Sequence, residues 1–317
     1  MKNIKLMKSL TVFSAALVFQ IFSAVGAQAQ ALCSSLTGGN APAGNECMVT
    51  PTKLTFKIYE LSLCTDKVTP TTSASDKAAR CETLFESTAG KDVDLTPGAS
   101  FSMDDGFSIK EDTYTHGLLK VNTTFSMTTA HQFTASYTTD DTSGTDTSGA
   151  FCFSNGRGID PYVPAATHAS QITCHASAFS ALPNSITQKM FGAGDATDYA
   201  SNPQMNTEIA TPNAVGGVTA YTDLYILKAD SSLATGDVTR AGVGAGRAAT
   251  LDGTHDRKYI LADQTLSSPV VISADTKGLG VQFNVTNSAS LEWNGASPTN
   301  LIGQNAFNGM LFIFSAN

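Results

Sequence analysis

The chain has 317 residues, of which 42% are hydrophobic and 15% charged, and its formal net charge is -8. Sparse, scattered lysines and arginines speak against nucleic acid as a partner, because that affinity rests on basic side chains neutralising phosphates. Recurrent short apolar runs speak against disorder, and the length suits one large β domain or two small ones.

At the N-terminus, Lys2, Lys5 and Lys8 precede an apolar stretch from Leu10 to Val25 and then the small-residue run GAQAQA. This is the three-part layout of a secretory signal peptide, predicted here as residues 1–31 with cleavage after Ala29 or Ala31. Gln20, Gly26 and Gln28 leave too short an apolar run for a membrane span. Leu32 directly before Cys33 argues against a bacterial lipid anchor, which needs a small residue there. Cleavage removes three lysines and no acid, so the mature chain, residues 32–317, carries a formal charge of -11. The expected destination is the bacterial cell surface or medium, with the periplasm as an alternative, and no membrane span after signal removal.

Export leaves the reducing cytosol, so six cysteines read as a disulfide framework. Six cysteines allow fifteen pairings, and proximity in the chain favours Cys33 with Cys47, Cys64 with Cys81, and Cys152 with Cys174.

Strand signals dominate. In KLTFKIYELSL, Phe56 and Ile58 alternate with lysines, and then the apolar parity moves to Tyr59, Leu61 and Leu63, which predicts a β-bulge. A short helix is predicted around Lys77 to Phe85. Further strands are predicted in FSMDDGFSI, TYTHGLLKVNTTF and HQFTASYT, where Phe133, Ala135 and Tyr137 share a face. Residues 139–215 carry two cysteines and five prolines and few alternating runs, so they read as a long, loop-rich, disulfide-stapled insertion. A second helix is predicted in NSITQKMF after Pro183. Two domains split near residue 216 are the alternative organisation. Strands follow in GVTAYTDLYILK, RKYILA, PVVIS, GLGVQFNVTN (with Val281, Phe283 and Val285 on one face) and GMLFIFSAN. No βαβ rhythm appears. The predicted class is all-β, mainly antiparallel, in a two-sheet sandwich of jelly-roll or immunoglobulin-like kind.

Candidate sites divide between chemistry and plain structure. TTDDTSGTDTSG offers Asp140, Asp141 and Asp146 as calcium ligands, but counting from Asp140 the sixth position is Thr145 and the twelfth Phe151. An EF-hand needs Gly and Glu there, so an ordinary loop is expected, with calcium in an irregular site as the alternative and no other cofactor. Asp104 and Asp105 sit in a DG hairpin signal, and Glu111 and Asp112 add nothing sharper. His168 and His175 flank Cys174, for which a disulfide is the simpler reading than a nucleophile. GVGAGR, residues 242–247, lacks the G-K-[ST] ending of a phosphate loop. Trp293, the single tryptophan, follows Glu292 and is either a sugar platform or core. Tyr221 and Tyr225, on one strand face, are the next aromatic candidates.

No catalytic residue is assigned. The leading expectation is a structural or adhesive surface protein, such as a filament, coat or matrix subunit, partnered by copies of itself or by surface glycans. A glycan- or ligand-binding module and a secreted hydrolase with unidentified carboxylates are the alternatives. The apolar C-terminal strand is expected to close its own sheet rather than a neighbour's edge.

Overall fold

The structure, a computed structural model, describes residues 31–37, 41–42, 46–97, 100–103, 109–139, 147–156, 170–177, 183, 186–189, 204–207, 221–233, 258–293, 301–307 and 311–316. These residues form mostly antiparallel β structure in three sheets, with one α-helix and three disulfides. Residues 1–30 of the predicted signal peptide (1–31) lie outside them, as do GVGAGR, His168, Asp104, Asp105, Asp140, Asp141 and Asp146.

The first sheet contains β1 (Ala31–Leu32), β2 (Glu46–Val49), β8 (Ala130–Thr139), β9 (Ser148–Ser154), β10 (Ile172–His175), β16 (Ala289–Trp293) and β17 (Leu301–Phe307). Their order is β1-β2-β16-β17-β8-β9-β10. The second contains β3 (Lys53–Cys64), β4 (Cys81–Leu95), β6 (Asp112–Asn122), β7 (Thr124–Thr128), β11 (Ile186–Lys189), β12 (Gln204–Thr207), β13 (Tyr221–Leu227) and β14 (Tyr259–Ile272). Its order is β11-β7-β3-β6-β14-β13-β12, with β4 on the other side of β3. The third is β18 (Leu311–Ala316), β15 (Leu279–Asn284) and β5 (Ser100–Met103), with β15 central.

Strand β3 shows how the sequence pattern becomes packing. Leu54, Phe56 and Ile58 point into the core, and the register against β4 and β6 shifts between Ile58 and Glu60, so that Leu61 and Leu63 are buried in turn. The bulge stands where the apolar parity changes. Core side chains from all three sheets form one cluster: Phe56 of β3 meets Phe283 of β15 with ring centroids 6.0 Å apart, and Leu291 and Trp293 of β16 join it. Gly117 of β6 is required by this contact. A Cβ there would come 2.5 Å from the Phe312 ring and 2.7 Å from the Phe314 ring of β18.

Two predicted helices are corrected. Helix α1 spans Ala74–Arg80, capped by Ser73, whose hydroxyl accepts the Asp76 N–H at 3.1 Å, and the chain from Cys81 to Phe85 is strand, not helix. The Cys64–Cys81 bond holds this segment beside β3, and ladder pairing outweighs its weak helical pattern. Likewise residues 186–189 of NSITQKMF form β11, paired antiparallel with β7 from Ile186 opposite Met127 to Lys189 opposite Thr124. Four residues of helical periodicity carry too little intrinsic preference to resist an available edge. RKYILA and PVVIS are parts of one strand, β14, with a register shift between Thr265 and Val270.

The described strands of residues 139–215 join sheets built by the rest of the chain: β9 and β10 extend the first sheet, while β11 and β12 extend the second. The C-terminal strand β18 pairs with β15 of its own chain, from Leu279 opposite Ala316 to Asn284 opposite Leu311. On its far side, the buried Gln264 amide donates to the Phe312 carbonyl at 2.6 Å and accepts the Phe312 N–H at 3.2 Å. A side chain thus stands in for a neighbouring strand at that point.

Candidate functional site

The sequence-predicted residues reach different places. All six cysteines are bonded in the favoured pairs, Cys33–Cys47, Cys64–Cys81 and Cys152–Cys174. Cys64 faces Cys81, and Cys152 faces Cys174, directly across neighbouring antiparallel strands. Their Cα atoms are 4.1 and 4.0 Å apart, which matches the closer, non-hydrogen-bonded positions of such ladders. Cys174 is thereby removed as a thiol, and His175 beside it stacks on Phe153 with centroids 5.5 Å apart.

Trp293 is 5% exposed and lies edge-on to Tyr137 at 5.3 Å and Phe133 at 6.1 Å. It offers no open face on which a sugar ring would stack. Tyr225 is buried beside Leu227 and Tyr259, while only the backbone of Tyr221 is described, opposite Thr265.

Glu292 does sit in an unusual place. It faces Glu46 directly across β16 and β2. Burial pushes its carboxyl up to about 7, and the neighbouring Glu46 carboxylate adds to the effect. Burial also raises Glu46. Ser290, two residues before Glu292, lies near enough to both carboxyls to lower them, yet its Oγ meets hydrogen-bond geometry with neither and has no other partner.

A second titratable group is centred on Asp263 of β14, which is 1% exposed. Its Oδ2 accepts the Val68 N–H at 2.8 Å, and its Oδ1 lies 3.9 Å from His116 Nε2. Desolvation lifts the Asp263 carboxyl to about 7, with Asp223, its direct neighbour on β13, adding repulsion. Lys67 pairs with Asp223, and that hydrogen bond raises the Lys67 pKa. Thr115 Oγ1 donates to the Thr65 carbonyl at 2.8 Å and therefore accepts from His116 Nδ1–H at 2.9 Å. The imidazole proton is thus assigned to Nδ1, with Nε2 turned toward Thr265 Oγ1 at 3.4 Å. Burial lowers the His116 pKa and keeps the ring neutral.

Sequence reasoning passed over Asp263, His116 and Glu46. The signal for Asp263 was present: one acid interrupts the apolar run YILADQTL, where a buried strand position needs a partner. That partner, the Val68 N–H, is 195 residues away in the chain.

Chemically, Asp263 is committed to a backbone bond that anchors the connection between β3 and α1 beside the Cys64–Cys81 bond. A further buried acid, Glu60, is held by Lys77 Nζ at 2.6 Å and Ser62 Oγ at 2.9 Å. Among the described residues, no three His, Cys, Asp or Glu side chains converge as a metal group, and no helix is long and apolar enough to cross a membrane. No protein-family model, curated protein or solved structure matches this chain.

Proposed function

We propose that this chain is an exported, non-catalytic structural or adhesive subunit of a bacterial surface, a filament, coat or matrix component that associates with copies of itself. The observation that carries this reading is strand β4. It runs 15 residues, is hydrogen-bonded to β3 on one side, and has no strand on the other among the described residues. The Cys64–Cys81 bond fastens its start to β3, so the edge is presented rather than free to peel away. Such an edge is a template for pairing with another chain. Its charged side chains, Glu82, Glu86, Lys91, Asp92 and Asp94, exclude indiscriminate partners and favour a complementary one.

Export is supported by the signal-peptide layout of residues 1–31 and by three disulfides, which persist in oxidising compartments. The finer fold reading is a β-sandwich of jelly-roll or immunoglobulin-like kind. Its support is Tyr114, buried near the start of β6, whose hydroxyl donates to the Lys110 carbonyl at 2.8 Å. A tyrosine bonded to backbone a few residues upstream marks sandwich corners.

Light scattering and negative-stain microscopy of the mature protein at neutral pH test the function. Regular polymers are expected. Thr88→Pro places a ring in residues 87–90, which fall in the register shift between the Ile58–Lys91 and Glu60–Glu86 pairs and so lie outside the β3 ladder. This variant is expected to stay folded and to lose assembly. A discrete monomer at every concentration would overturn the reading.

A further inference from the structure

Cys47 and Leu291 of β2 and β16 point into the core cluster, so by strand alternation Glu46, Glu292 and Ser290 occupy the opposite face of the first sheet. Two carboxyls are thus held opposite each other, and no described lysine, arginine or histidine forms an ion pair with either. Within reach of both, one pair along the ladder at the position facing Met48, is the Ser290 hydroxyl, 0% exposed and without a partner in hydrogen-bond geometry among the described residues. On the other side of Glu292, the facing position on β17 is Gln304, which does not titrate.

We propose that Glu46, Glu292 and Ser290 form a binding site for a hard divalent cation of the calcium class on this face of the sheet. Carboxylate and hydroxyl oxygens are the donors such ions take, and waters complete the shell on the half-buried Glu46 side. One proton removes the repulsion between the two carboxyls but leaves one buried negative charge, whereas a dication offsets both charges and gives the buried hydroxyl oxygen an acceptor of its lone pair. With two carboxylates rather than three or four, the affinity belongs to the weak range of extracellular modules, about 0.1–1 mM. The site shares no residue with the Asp140, Asp141 and Asp146 candidate and does not depend on assembly through β4.

The test is calorimetric titration of CaCl2 into the chelator-treated mature protein at pH 7.5, with unfolding midpoints recorded in parallel. Saturable binding is expected, at least tenfold weaker in Glu292→Gln and in the more exposed Glu46→Gln, and tenfold weaker again for the native chain at pH 5.5, where protons compete. Both variants remove a like charge and are expected to unfold no earlier than the native chain in chelator. Absence of saturable binding, or affinity unchanged in both variants, would overturn the proposal. A midpoint that rises with acid and ignores calcium would replace it with a shared proton.

Discussion

Individual residues show where one atom decides between packing and failure. Gly117 lets β18 lie on β6, because a methyl group would press into two buried aromatic rings. Gly117→Ala is expected to cost about 1–3 kcal/mol by overpacking, read as a lower urea midpoint with unchanged m. Asp263 has the opposite character: its cost is electrostatic and depends on pH. Its folded pKa is about 7 against an ordinary 3.8, so the native chain holds a proton that the unfolded chain has lost. The stability from this group is therefore whole below about pH 4 and disappears as pH rises toward 7. Glu292 acts in the same direction. Partly buried His116 and His131, both lowered by desolvation, act oppositely, their contribution being lost as pH falls through their folded values. Asp263→Asn keeps an acceptor for the Val68 N–H and is expected to flatten the decline between pH 4.5 and 8. Urea midpoints across that range, native minus variant, isolate the effect. An unchanged slope would mean that Asp263 is ionised throughout.

At the scale of elements, the covalent framework and the strand ladders reinforce each other. Cys64–Cys81 closes a loop of sequence separation 17 that contains helix α1, whose Lys77 pairs with Glu60 on β3, and the connection anchored by Asp263. Replacing both cysteines by alanine is expected to cost about 3 kcal/mol on the chain-entropy account. Peptide mapping of the unreduced protein would show the remaining two bonds unchanged. The bulge in β3 and the Gln264 clasp on β18 work at the same scale: each ends or redirects a ladder at a chosen residue. Much of this level was legible in the sequence. Parity in β3 located the bulge, and alternation in β8 and β15 located core faces. The exceptions, the segments 81–85 and 186–189, carry short patterns compatible with helix, and only the strands beside them make the extended form cheaper.

For the whole molecule, the three sheets share one core while drawing strands from distant parts of the chain. The first sheet joins β2, at residues 46–49, to β16 and β17, at residues 289–293 and 301–307. This places Glu46 opposite Glu292 and, among the described residues, leaves the second sheet with β4 as a long edge. Assembly and cation binding are therefore independent outcomes, located on different sheets. Loss of polymers in Thr88→Pro with calcium binding intact is the expected pattern, and simultaneous loss of both would point to a misfolded variant.

The sequence alone determined the β class and the polar-out and apolar-in faces of the longer strands, and it favoured, among fifteen possibilities, the cysteine pairing that the structure shows. All three depend on period-two alternation or on short loop closure, which are local in the chain. The pairing of strands, the core shared by the three sheets and the meeting of Glu46, Ser290 and Glu292 were decided only by tertiary structure. The physical reason is that a cross-strand partner is chosen by burial and register over hundreds of residues. No local pattern around Glu46 or Asp263 records which strand will lie beside it.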